Sequence, residues 1–249
     1  MSVILERLIP LLIGYAFGCI SFAYIFGHVV GHIDIRNYGS GNAGTTNVIR
    51  VLGKKWGFLT LALDILKAAC AVWVTALIYG YGMKHLLLWA GIGVILGHNF
   101  PFYMNFKGGK GIAASIGIFL AADIRMMLIA GIPALIILYI WRYMSLASLT
   151  YMLLLFVTAI FFYHGAPNGL EVILLVLLIS LSGFIRHRAN IRRLLEGTES
   201  KLGQKVEIAA EKHDQKMAAK GITPDNTPDD QIYQEALQPN DKEKDEKRK

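Results

Sequence analysis

The chain has 249 residues, 54% of them hydrophobic, and a mean hydropathy of +0.45; so apolar a composition, arranged in long blocks, excludes an ordinary soluble domain. The formal net charge of +7 is unevenly spread: residues 1–198 carry 15 Lys/Arg against 6 Asp/Glu, and residues 199–249 carry 10 against 12. A basic membrane body suited to anionic ligands or lipid headgroups therefore precedes a mildly acidic tail.

Residues 8–30 form the first apolar run, 23 residues without a Lys, Arg, Asp or Glu. That is longer than a signal-peptide core and lacks a small-x-small cleavage site, so it reads as an uncleaved span. The two cysteines, Cys19 and Cys70, lie inside apolar runs and predict no disulfide framework. Residues 57–81 form the second span, interrupted by Asp64 and Lys67. Three residues apart, these two share a helical face, and the spacing predicts a mutual pair inside the bundle, because an isolated charge costs about 2.5 to 3.5 kcal/mol at mid-membrane. The run 86–100 leads straight into a glycine-rich basic stretch. The next run, 112–122, has only 11 residues, the length of a re-entrant or buried helix unless its neighbours extend it. Residues 126–140, 146–163 and 172–185 supply three more runs.

These runs predict an all-α integral membrane protein, a polytopic bundle of seven transmembrane helices; five spans with the pair around Asp123 dipping together is the other arrangement. On the seven-span count one side receives Arg36, Arg50, Lys54, Lys55, Lys107, Lys110, Arg142, Arg186, Arg188, Arg192 and Arg193, and the other only Arg7, Lys84 and Arg125. The positive-inside rule then places the amino terminus outside, the carboxyl terminus in the cytoplasm, and three polar motifs on the cytoplasmic face. Residues 1–198 are expected to form the transmembrane catalytic domain. Residues 199–249, with Pro224, Pro228 and Pro239, are expected to be a charged, disordered cytoplasmic tail with one amphipathic helix over 202–220.

The first motif, residues 34–50, combines turn-forming glycines with Ser40, Asn42, Thr45, Thr46 and Asn47 and ends in Arg50, a forked cation suited to phosphate or carboxylate. Alone it reads first as a turn-rich polar loop with one interfacial anchor. The second, residues 97–115, holds His98, Lys107, Gly108, Gly109, Lys110 and Gly111. Clustered glycines admit a ligand close to the backbone and the lysines add charge, so it reads as a phosphate cradle. Gly111 stands where a nucleotide P-loop needs Ser or Thr, and no strand precedes it, which argues against ATP. Lys107 and Lys110 also fit plain membrane anchoring, and a lone His98 at a helix end fits a structural role. The third, residues 187–199, sets His187 and Asn190 on one helical face and carries Arg193; alone it also fits a basic patch for anionic lipid. The cytoplasmic loops lack an acidic cluster, and His28 and His32 lack a third ligand, so neither a metal nor a cofactor is expected.

Ser-Gly-Asn-x-Gly-x-Thr-Asn-x-x-Arg at 40–50, Gly-His-x-Phe-Pro at 97–101 followed by Gly-Gly-Lys-Gly at 108–111, and His-x-x-Asn-Ile-x-Arg-Leu-x-x-Gly-x-Glu at 187–199 together resemble the bacterial acyl-phosphate:glycerol-3-phosphate acyltransferase family, PlsY. The resemblance covers about residues 5–199 and leaves the tail outside. Ala114 stands where the family usually has Thr, with Ser115 beside it, and Ala68 replaces a usual Gly.

The resemblance implies a multi-pass enzyme of the bacterial cytoplasmic (inner) membrane, its site facing the cytoplasm. Its substrates would be acyl phosphate and glycerol 3-phosphate, its surroundings membrane lipids, and no nucleic acid or obligate protein partner is expected. It would move a long-chain acyl group to the 1-hydroxyl of glycerol 3-phosphate, releasing phosphate and lysophosphatidate, the first step of phospholipid synthesis. Charge and spacing suggest that Gly108, Gly109, Lys110 and Gly111 cradle one phosphate through backbone amides and the ammonium. Ser40, Asn47 and Arg50 would grip the other, with Asn42, Gly44, Thr46 and His98 lining the site and Lys107 and Arg193 as reserve cations. His187, ordered by Asn190, would take the hydroxyl proton or orient the nucleophile; Ser40 and Lys110 complete the catalytic set. The competing class is a transporter or channel for an organic phosphate, which would place polar residues along the spans toward the outer face.

Overall fold

A computed structural model describes residues 2–202, which are built from helices and turns with no strand among them. The expected tail and its 202–220 helix fall, from residue 203 on, outside the described residues. Six helical stretches are long and apolar enough to cross a membrane: Val3–Gly31, Lys54–Tyr79, Lys84–Met104, Ile124–Trp141, Met144–Tyr163 and Gly169–Arg186; Ile112–Ala122 is shorter.

The first stretch corrects the expected single helix over 8–30. It is two helices, α1 (Val3–Cys19) and α2 (Phe22–Gly31), separated at Ile20–Ser21. A break inside a bilayer must have its backbone groups satisfied by protein. Ser21 caps α2 by accepting from the Tyr24 amide, while Tyr103 donates to Cys19 O at 2.7 Å and accepts from Ser21 N at 3.3 Å. Lys67, on α4 (Lys54–Tyr79), donates to Gly18 O at 3.2 Å and to Ile20 O. Asp64 pairs with Lys67 at 2.8 Å, as the spacing predicts, so the buried ammonium is neutralised where it serves the broken helix.

Helix α5 (Lys84–Asn99) packs along α1. Two glycine pairs allow it: a Cβ on Gly14 or Gly18 would lie 1.9 or 2.4 Å from a carbonyl oxygen of α5, and one on Gly93 or Gly97 would lie 2.1 or 2.4 Å from one of α1. Backbones in direct contact are the usual route to helix association where lipid offers no hydrophobic drive.

Short α6 (Ile112–Ala122), about 16 Å long at the helical rise, packs against α4, α5 and α7 (Ile124–Trp141), and its Ile118 and Phe119 are fully buried. At its far end Lys84 donates to Ala122 O at 2.6 Å and Tyr81 to Ala121 O. Asp123 then starts α7, accepting from Arg125 N at 3.1 Å and from Tyr163 of α8 (Met144–Tyr163) at 2.8 Å. Helix α9 (Gly169–Arg186) packs against α5 and α8 and ends where Arg186 meets the second motif and the third begins.

Candidate active site

The first motif is a scaffolded loop leading into α3 (Thr45–Leu52). Asp34 pairs with Arg36 at 2.6 Å, and Arg36 also donates to Met104 O at 2.7 Å, tying this motif to the second. Burial pushes the Asp34 carboxyl up, but hydrogen bonds from Arg36 outweigh it and hold the group below its ordinary value. Ile35, Ala43 and Val48 pack on Met104 beneath the loop. Asn47 is the knot: its amide donates to Ile35 O at 3.0 Å and Tyr38 O at 2.9 Å, and its oxygen accepts from Ser40 N at 2.8 Å and Ser40 Oγ at 3.2 Å.

With 1% exposure and both amide atoms bonded within the loop, Asn47 holds the loop's shape, where the expected role has it grip a phosphate. Ser40 is exposed, Asn42 and Thr46 are half-buried, and Gly44 caps α3. Burial holds the Arg50 guanidinium below its ordinary value, with Glu199 acting in the opposite sense and Arg193 in the same one.

The second motif folds back along the end of α5. Gly108 N donates to Asn99 O and Gly109 N to His98 O, both at 3.0 Å. A Cβ at Gly109 would lie 2.1 Å from His98 Nε2 and 2.8 Å from Ala43 O, and one at Gly108 would lie 2.2 Å from His98 O. Gly109 is thus packed between His98 and Ala43 of the first motif and Gly108 against the end of α5, and both amides bond carbonyls of α5, where the expected cradle has them face a phosphate. His98 is likewise buried, its Nδ1 3.2 Å from Lys67 Nζ. An ammonium only donates, so Nδ1 accepts and Nε2 carries the hydrogen. Lys107 is exposed. Beyond the two glycines the loop continues through Lys110 and Gly111, at φ +84°, into the first turn of α6, whose amides lack helical partners. Ser115 bonds Ile112 O of its own helix at 2.7 Å, so its hydroxyl does not replace the Thr absent at 114.

The third motif begins where α9 stops. His187 joins α9 to α10 (Arg188–Leu195), and its Nδ1 lies 2.8 Å from Gly183 O. A carbonyl only accepts, so Nδ1 carries the proton and Nε2 keeps its lone pair. Burial, then the charge of Lys110, lowers His187 to about 4. Lys110 donates to Asn190 Oδ1, and burial, then the Arg193 charge, lowers its ammonium to about 8. Asn190 Nδ2 donates to Glu199 Oε1 and Arg193 Nε to Glu199 Oε2, both at 2.7 Å. Glu199 thus orients the Asn190 amide so that its oxygen faces Lys110. Burial pushes that carboxyl up, but hydrogen bonds led by the one from Asn190 hold it low.

The structure brings Lys110, His187, Asn190 and Arg193 into one cluster, with Arg50 within electrostatic range. Glu199 and Arg186 also stand in this cluster, the first inside the third motif and the second, in the sequence, no different from any other positive-inside charge.

A family model described as glycerol-3-phosphate acyltransferase matches residues 8–197. A glycerol-3-phosphate acyltransferase of Thermoanaerobacter sp. is 43% identical over 198 residues, 79% of this chain and 96% of the relative. One of Mesorhizobium japonicum is 39% identical over 198 residues, 80% and 97% of the two chains. Among solved structures, PlsY, an integral membrane glycerol 3-phosphate acyltransferase, superposes in its glycerol 3-phosphate form with a TM-score of 0.71 and 36% identity, covering 79% of this chain and 96% of that one. Its lysophosphatidic acid form gives 0.69 and 35%, covering 79% and 95%.

Proposed function

The chain belongs to the glycerol-3-phosphate acyltransferase family, and from that membership we propose that its acyl donor is a long-chain acyl phosphate. The hydroxyl oxygen at C1 of glycerol 3-phosphate attacks the acyl carbonyl carbon, the bond from that carbon to the phosphate oxygen breaks, and lysophosphatidate and inorganic phosphate leave. Family membership in an acyltransferase class displaces the transporter reading, and the paired Asp64 and Lys67 serve a helix break in place of a polar route across the span.

The observation that carries the proposal is the Lys110–Asn190 contact, which draws the basic loop of the second motif against the histidine of the third. Two dianions meet in this reaction, and a site with Arg50, Lys110 and Arg193 around neutral His187 answers their charge. Lys110 and the first turn of α6 take one phosphate; Arg50, with Ser40 and the start of α3, takes the other. Because His187 is lowered to about 4, while a phosphate dianion takes up a proton at a pKa of about 6, Nε2 orients the hydroxyl and a substrate phosphate oxygen accepts the proton. Acyl phosphate is already activated, so positioning and charge stabilisation supply the rate. The reaction takes place on the cytoplasmic face of a bacterial inner membrane, the side that the positive-inside count assigns to the motifs.

The test is purified protein with labelled glycerol 3-phosphate and, in parallel, palmitoyl phosphate, acyl-CoA or acyl carrier protein thioester. Labelled lysophosphatidate from palmitoyl phosphate alone is the expected result. Product from a thioester but not from palmitoyl phosphate overturns the donor assignment.

A further inference from the structure

Two consecutive carbonyls of the glycine loop face one guanidinium. Arg186 donates through Nη2 to Gly108 O at 2.9 Å and through Nε to Gly109 O at 3.0 Å, and its guanidinium carbon lies 5.4 Å from the centre of the Phe100 ring. In a trans peptide the carbonyl and the next N–H point opposite ways. Turning Gly108 O toward Arg186 sends Gly109 N–H the other way, where it meets His98 O at 3.0 Å. Turning Gly109 O toward Arg186 sends Lys110 N–H to the side away from the guanidinium, at the start of the segment that enters α6. Arg186 is also the last residue of α9, directly before His187, and Lys110 reaches Asn190 on α10. The loop is thus fixed at three successive residues to the element that carries His187.

We propose that Arg186 is a positioning residue for acyl transfer: by holding the Gly108 and Gly109 carbonyls it sets the direction of the Gly109–Lys110 peptide and the register of the Lys110 cradle against His187. The inference rests on reading Lys110 and the start of α6 as a phosphate site. A rigid fork suits it, because two parallel N–H groups match two consecutive carbonyls, whereas a lysine in the same place offers a mobile point charge. Arg186 directs Nε and Nη2 at backbone oxygens, and this contact separates the role from that of a phosphate ligand.

The experiment compares the full chain with R186K and R186Q by initial rates in both substrates, with thermal unfolding measured alongside, using whichever acyl donor supports wild-type turnover. Misplacing a cradle costs about 10- to 100-fold in rate, so kcat falls by that factor in both variants while KM for either substrate stays within about threefold, the pattern of lost transition-state positioning. Unchanged kcat overturns the proposal. So does a raised KM with kcat held that R186K restores, since that marks a charge-reading ligand. If neither variant folds, F100L, which removes only the ring beside the guanidinium, is expected to lower kcat with KM held, and wild-type kinetics there overturn the proposal. A wild-type protein active only with thioesters would refute the acyl-phosphate reading and leave the Arg186 comparison intact.

Discussion

The shifts of two groups at the site, His187 and Lys110, set a window of pH. Burial and Lys110 lower His187 to about 4 and burial and Arg193 lower Lys110 to about 8. Neutral His187 therefore coexists with charged Lys110 only between these values, and a bound phosphate dianion, favouring both protonated forms, moves the window upward. A bell-shaped kcat/KM profile is expected, falling below the lower limb as His187 gains a proton and above the upper one as Lys110 loses its own. In K110R the cation persists, since an arginine titrates above about 12, so the alkaline limb should move up while the acid limb stays. An unmoved alkaline limb would remove Lys110 from the site. Charge and side-chain chemistry are visible in letters, so the three motifs single out Lys110, His187, Asn190 and Arg50 as candidates, which the structure brings near one another. Which of a residue's groups are already used is not: nothing in the sequence shows that Asn47 spends its whole amide on the loop, or that the Gly108 and Gly109 amides are committed to Asn99 and His98.

Among the elements, the apolar runs located the helices well, down to the 11 residues of α6, since a long charge-free run has few other uses. The break in the first run was illegible. Cys19–Ile20–Ser21 contains neither Gly nor Pro, and its cause lies in Lys67 and Tyr103, distant in sequence. Lys67 consequently does more than neutralise Asp64. Removing one member of a buried pair costs about 3–5 kcal/mol, and replacing both members with apolar groups is often neutral. Here K67M should destabilise by that order, and D64N/K67M should recover only part of it, because the carbonyls of Gly18 and Ile20 still lose their donor. Thermal unfolding in detergent of the single and double variants measures this; full recovery in the double would reduce Lys67 to an ordinary counter-ion.

For the molecule as a whole, the distribution of Lys and Arg gives an orientation that impermeant thiol labelling of intact cells can read. With the motifs on the cytoplasmic side, G82C, at the α4–α5 turn where a Cβ meets nothing within 4 Å, should label from outside, and K107C only after the membrane is opened. The reverse pattern would invert the topology. The packing also divides the molecule into two kinds of wall. Where α1 and α5 meet, backbone touches backbone, whereas α7 turns Leu128, Ile129, Ile132, Leu135 and Ile136 outward, with only 17% of its span buried. Tolerance to change must follow the same division. Gly14, Gly18, Gly93 and Gly97 form a seam at which one added methyl separates two helices, while the outer face of α7 accepts almost any apolar side chain and is the place to attach a probe without disturbing the chemistry.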